Sequence, residues 1–145
     1  MNFVEHETLS GHLEFLKEGD SYLKTVKNSG KRPEVFTPEI VFNMLGMAIE
    51  KLMMATLTYC GCLPENHTFH DLADAWRAAV GDMAPERKRL LESLDSHNNL
   101  CSLDAFHQRI PTPEVMAEFV GLAEDLQREA HARILVPHVI GLPKD

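Results

Sequence analysis

Apolar residues recur along this chain at intervals of three and four, and no sustained apolar/polar alternation bounded by turn residues interrupts them, so the pattern predicts helices throughout. Leu9, Leu13, Leu16, Leu23 and Val26, with Phe15 and Tyr22 alongside, mark a first helix that ends at the Asn28-Ser-Gly-Lys-Arg-Pro33 break. Thr37-Pro38-Glu39 opens a second with a cap residue, a proline at the first helical position and an acid that complements the positive end of the helix. It runs to about Cys60. Val41, Leu45, Ala48, Leu52, Ala55 and Tyr59 form one stripe, and Phe42, Met44, Met47, Ile49, Met53, Met54 and Leu57 make nearly every other side apolar too. Such a helix must be central, or shared with a second subunit.

Gly61 suits the left-handed position after a helix and Pro64 forbids a simple continuation. Thr68 caps a third helix, with Asp71 as its box-like partner, Phe69, Leu72, Ala73, Trp76 and Val80 as its buried face and Gly81 as its stop. A fourth helix begins near Pro85 and presents Leu90, Leu91 and Leu94, while Ser96 to Asn99 reads as loop. Residues 100–106 are expected to form a short helical turn limited by Pro111. Thr112-Pro113-Glu114 repeats the earlier start signal and opens a fifth helix, with Val115, Phe119, Leu122, Leu126, Ala130 and Ile134 on one face and its end before Pro137. The predicted fold is all-α: an up-and-down helical bundle of four to five helices, one domain over residues 1–145. Residues 135–145 are an apolar tail expected to dock on the bundle or on a partner subunit.

Length agrees with one domain, since a chain of 145 residues buries roughly 68–70% of its unfolded surface without needing staples. The three cysteines, Cys60, Cys62 and Cys101, are an odd set, which disfavours a disulfide framework and points to a reducing, cytoplasmic setting. No basic leader with a long apolar run opens the chain, and Asn43, Glu50 and Lys51 interrupt its longest apolar stretch, so a soluble protein with no membrane role is expected. A net charge of −8 opposes long-range attraction to nucleic acid, and the short basic runs Arg87-Lys88-Arg89 and Lys27 to Arg32 read as solvated surface.

The run CGCLPENHTFH, residues 60–70, places two cysteines and two histidines close together. A single-residue gap between the cysteines is shorter than zinc sites use, and the whole set is too compact for one tetrahedral centre, so a turn between helices is expected and no metal or other cofactor. His67 with Asp71, and His70 with Asp74, stand four apart and can form surface ion pairs when the imidazole is charged.

The segment Ala48-Ile-Glu-Lys-Leu-Met-Met-Ala-Thr-Leu, followed after a Gly-Pro turn by His67-Thr-Phe-His-Asp-Leu72, resembles the HEPN family. Phe106-His-Gln-Arg-Ile-Pro-Thr112 is similar to the Arg-Tyr-Pro loop of bacterial members, with Arg109 and Pro111 in place and Ile110 where the aromatic stands. The likeness extends over about residues 5 to 135. It implies a bundle of about four to five helices. It singles out His67, and Glu50, Lys51 and Arg109 beside it, as a ligand-binding group, with Arg109 as the cation to partner a buried Glu50.

HEPN proteins range from metal-independent ribonucleases, often toxins, to nucleotide- or partner-binding modules paired with nucleotidyltransferases. The nuclease branch places an Arg and a His about four to six residues apart at the start of the last helix, where imidazole moves a ribose hydroxyl proton and guanidinium stabilises the phosphorane. Here only Arg133 and His138 have that spacing, and they stand beyond the end of the fifth helix with Pro137 between them; His107 and Arg109 precede that helix in reversed order. The resemblance therefore implies a non-catalytic module that forms a homodimer through the methionine-rich second helix and binds a nucleotide or a protein partner, in a toxin–antitoxin-like setting. The alternative is a ribonuclease whose catalytic pair is Arg133 with His138, or His107 with Arg109, and whose partner is RNA.

Overall fold

The structure, a computed structural model, describes residues 3–97 and 110–135, with side chains from 11 to 96 and from 110 to 135. Five α-helices follow in order: α1 (Phe3–Asn28), α2 (Pro38–Tyr59), α3 (Phe69–Ala79), α4 (Pro85–His97) and α5 (Pro113–Ile134), with one 3-10 turn at Ser29–Lys31. There is no strand among the described residues, so the all-α class holds. Leu9, the segment 100–106 and the tail from 136 onward lie outside the residues whose side chains or backbone are described.

The start signals act as the sequence suggests. The hydroxyl of Thr37 accepts from the Ile40 N–H at 3.3 Å, and that of Thr112 from the Val115 N–H at the same distance. Thr68 Oγ1 accepts from the Asp71 N–H at 3.1 Å and donates to the Asp71 carboxylate at 2.9 Å. Each such cap contributes about 1 kcal/mol to its helix. Helix α2 ends in a Schellman turn: the Cys62 N–H reaches the Leu57 carbonyl at 2.8 Å and the Gly61 N–H the Thr58 carbonyl at 2.9 Å. Gly61 takes φ of 80°, the left-handed conformation that closure requires.

Contacts between the helices fix their directions. On α1, Gly11 lies by Thr58 and Gly19 by Leu52, so α1 and α2 run antiparallel. Asp20 meets His131 and Lys27 meets Glu124, so α1 is antiparallel to α5 as well. Helices α2 and α5 consequently run the same way, with the rings of Phe42 and Phe119 packed 6.0 Å apart between centroids.

Helix α2 is central. Every residue from Leu52 to Thr58 is buried, and so are Phe42, Leu45, Gly46, Ala48 and Ile49, against α1, α3 and α5. Its apolar excess is thus used largely inside one chain, with Ile40 and Met47 left outward. By length and composition alone α2 could cross a bilayer, and 61% of the relevant window is buried inside the bundle.

Three expectations are corrected. Leu13 is 48% exposed, because His12 occupies the inward position and rests edge-on against Tyr59 with ring centroids 5.2 Å apart. The true inner stripe of α1 runs His12, Leu16, Gly19, Leu23, Val26, at alternating steps of four and three. Tyr59, assigned to the buried stripe of α2, is 39% exposed at the helix end. Finally, α4 continues through Ser96 to His97 where a loop was expected. The Ser96 hydroxyl donates to the Ser93 carbonyl at 2.7 Å, so it is satisfied within the helix instead of terminating it.

Candidate functional site

Glu50 and Lys51 are neighbours on α2 and therefore diverge by about 100° around the helix axis. Glu50 projects toward the turn before α3, where its Oε1 lies 3.9 Å from Nδ1 of His67. Lys51 swings to α1, with its Nζ 3.3 Å from Glu18 Oε2 and 5.3 Å from the centre of the Phe15 ring. The partner of half-buried Glu50 in the described structure is thus His67. Arg109, expected to serve it, lies outside the described residues, as do His107 and His138. Arg133 is exposed in the last turn of α5. Of the seven residues singled out, the structure brings together Glu50 and His67 and turns Lys51 away from them.

In the Cys/His run, Cys60 is exposed and Cys62 half-buried. His67 precedes the cap Thr68 and so does not share a helical face with His70. No group of three or more His, Cys, Asp or Glu is placed to hold a metal ion among the described residues.

His70 is engaged with α4. Its Nδ1 lies 2.8 Å from Glu92 Oε2 and its Nε2 3.4 Å from Asp74 Oδ2. The hydrogen bond to Glu92, and then the charge of Asp74, raise its pKa above the ordinary 6.5. Next to it, the two carboxylate oxygens of Asp95 accept from the N–H groups of Phe69 and His70, each at 2.9 Å. Asp95 stands in the last turn of α4, where a negative charge opposes the dipole of its own helix; it serves instead as a cap on the positive end of α3.

On its other side α4 faces α5 across a groove of about 690 Å³. The floor is Leu90, Gly121 and Leu122; the walls carry Glu86, Arg87, Arg89, Ser93, Glu118 and Asp125. A Cβ added at Gly121 would meet no atom of the described residues within 4 Å. Half-buried Arg87 spans one end, with Nη1 3.0 Å from Glu129 Oε1 and Nη2 3.7 Å from Asp125 Oδ2. The basic run Arg87-Lys88-Arg89 is therefore partly committed to holding two helices together.

The sequence pattern missed the contacts between distant residues. Asp20 on α1 receives Nε2 of Gln127 at 2.8 Å and faces Nε2 of His131 at 2.8 Å. Asp95 likewise gives no local signal of its role, because its partners are on another helix. A search for acids near the ends of adjacent predicted helices would have flagged Asp95 as a cross-helix cap; nothing local marks Asp20.

Comparison of the chain with protein-family models, curated proteins and solved structures gives no match.

Proposed function

We propose that the chain is a non-catalytic, HEPN-like helical module that dimerises and binds a protein partner, using the groove between α4 and α5. The groove carries this reading. It offers an apolar floor flanked by charges of both signs, and a mid-helix glycine opens that floor to close approach of another backbone. That is the form in which an amphipathic helix is received, apolar anchors inward and charges at the rim. The same rim disfavours the nucleotide option: Glu86, Glu118 and Asp125 oppose a polyphosphate, and Arg87 is already paired with carboxylates.

A second copy of the chain is the first partner to test, in the cytoplasmic setting expected from the cysteine set. Sedimentation equilibrium at micromolar concentration should show a dimer that Gly121→Met, which fills the groove with a good helix former, and Arg89→Glu both dissociate. A monomeric wild type, or a dimer indifferent to both changes, removes the groove from this role. Thermal unfolding should not shift on addition of ATP; a clear upward shift would restore nucleotide binding.

A further inference from the structure

Among the described side chains of α4, Leu91 and Leu94 are the two buried in the core. Leu90 packs partly buried beside them, and the polar attachment is two-sided, through Arg87 to α5 and through Glu92 and Asp95 to α3. On the α3 side both ring nitrogens of His70 face carboxylates. A neutral imidazole has one N–H and one lone pair, so it can donate to one carboxylate only and presents its lone pair to the other; the imidazolium donates to both. Among the described residues the charged groups around it are acids: Asp71 and Asp74 from α3, and Glu92 and Asp95 from α4. From α2, Glu50 is engaged by His67. When His70 loses its charge, Glu92 and Asp74 are left facing each other across the helix pair without a cation between them.

We infer that His70 is a protonation-dependent clasp, holding the C-terminal half of α4 against α3 when charged and loosening it when neutral, so that acidity regulates one wall of the groove proposed to receive the partner. The link to partner binding rests on the groove reading; the clasp itself does not. The direction follows from the shift. A histidine whose folded pKa lies above its unfolded value contributes fully below that unfolded value, near 6.5, and its contribution is lost as pH rises through the folded one. Asp95 keeps its two backbone bonds throughout, so the change is a local loosening of α4 and not its detachment.

Residue-resolved hydrogen exchange on the whole chain tests this, with rates corrected for the intrinsic pH dependence of amide exchange, at about pH 5.5 and about pH 8.5 on either side of the histidine range. In the wild type, protection of the α4 amides should fall severalfold relative to those of α5 on going to the higher pH. In His70→Gln and in Glu92→Gln that ratio should stay flat; both changes fall on exposed or half-exposed side chains, so the bundle is retained. A constant α4-to-α5 ratio in the wild type, or an unchanged pH response in His70→Gln, overturns the clasp. A pH response in α4 together with a strictly monomeric protein upholds the clasp and defeats only the groove's role in dimerisation.

Discussion

A methyl group on Gly19 of α1 would stand 2.7 Å from both Cγ and Cδ2 of Leu52 and 3.2 Å from its backbone nitrogen. The two helices meet here with no space for even an alanine, whereas a methyl on Gly11 would touch, among the described residues, just Cγ2 of Thr58, at an ordinary 3.7 Å. The pair forms an internal control. Replacing a helix-interior glycine by alanine gains about 0.5–1 kcal/mol, and overpacking a filled core costs about 1–3 kcal/mol. Urea unfolding should therefore show Gly11→Ala more stable than wild type and Gly19→Ala less stable, with similar slopes for both.

The hydroxyls of Thr56 and Thr58 are buried with no hydrogen-bond partner among the described residues. An unsatisfied buried hydroxyl costs about 1–3 kcal/mol, while valine has nearly the same shape and no such requirement. Thr56→Val and Thr58→Val are expected to leave stability unchanged or raise it by up to about 1 kcal/mol. A loss of stability in either, measured by thermal or urea unfolding, would show that the hydroxyl has a structural task.

Asp95→Ala removes two acceptors from the start of α3 at once. By comparison with other lost caps, a cost of about 1–2 kcal/mol is expected, with Asp95→Asn intermediate because one carbonyl oxygen can still accept. The measurement is urea unfolding of the three proteins side by side. Equal stability for Asp95→Ala and wild type would mean that water replaces the carboxylate without loss.

Two shifted groups bound the pH range of best stability. The His70 contribution is complete below about 6.5 and fades above it. Glu124 has its pKa held below the ordinary 4.5 by the ammonium of Lys27, 2.6 Å away, so its contribution is complete above 4.5 and fades as pH falls further. Unfolding free energy is thus expected to be highest between these limits and to decline on both sides. His70→Gln should remove the decline on the alkaline side, and Lys27→Ala should reduce that on the acid side; both pairs are exposed, so the slopes will be shallow.

Much of this architecture is legible in the residue order, and the reason is local. A Thr-Pro-Glu start, a glycine able to take positive φ and an apolar period near three and a half each act within one or two turns, so Thr37, Thr112, Gly61 and the inner face of α5 could be read without knowing what they pack against. Leu13 shows where such reading fails. His12 and Leu13 are equally placed by periodicity to within one position, and it is His12 that turns inward, against Tyr59, distant in sequence. Site residues were harder still. Glu50 and His67 were each singled out but not paired, since Arg109 was expected to serve Glu50, and the partners of Asp95, Asp20 and Arg87 are supplied by helices that no local pattern brings together.

The shared direction of α2 and α5 has a consequence for the growing chain. The polypeptide must travel back along the bundle, through α3 and α4, before Phe119 can cover Phe42. The hairpin of α1 and α2 closes over a short link, and the later contact only after a far larger loop has been ordered, which puts the docking of α5 last. During synthesis the greasiest helix is therefore left open along one flank until the final third of these residues emerges, an interval in which capture by a chaperone competes with sticking to other nascent chains.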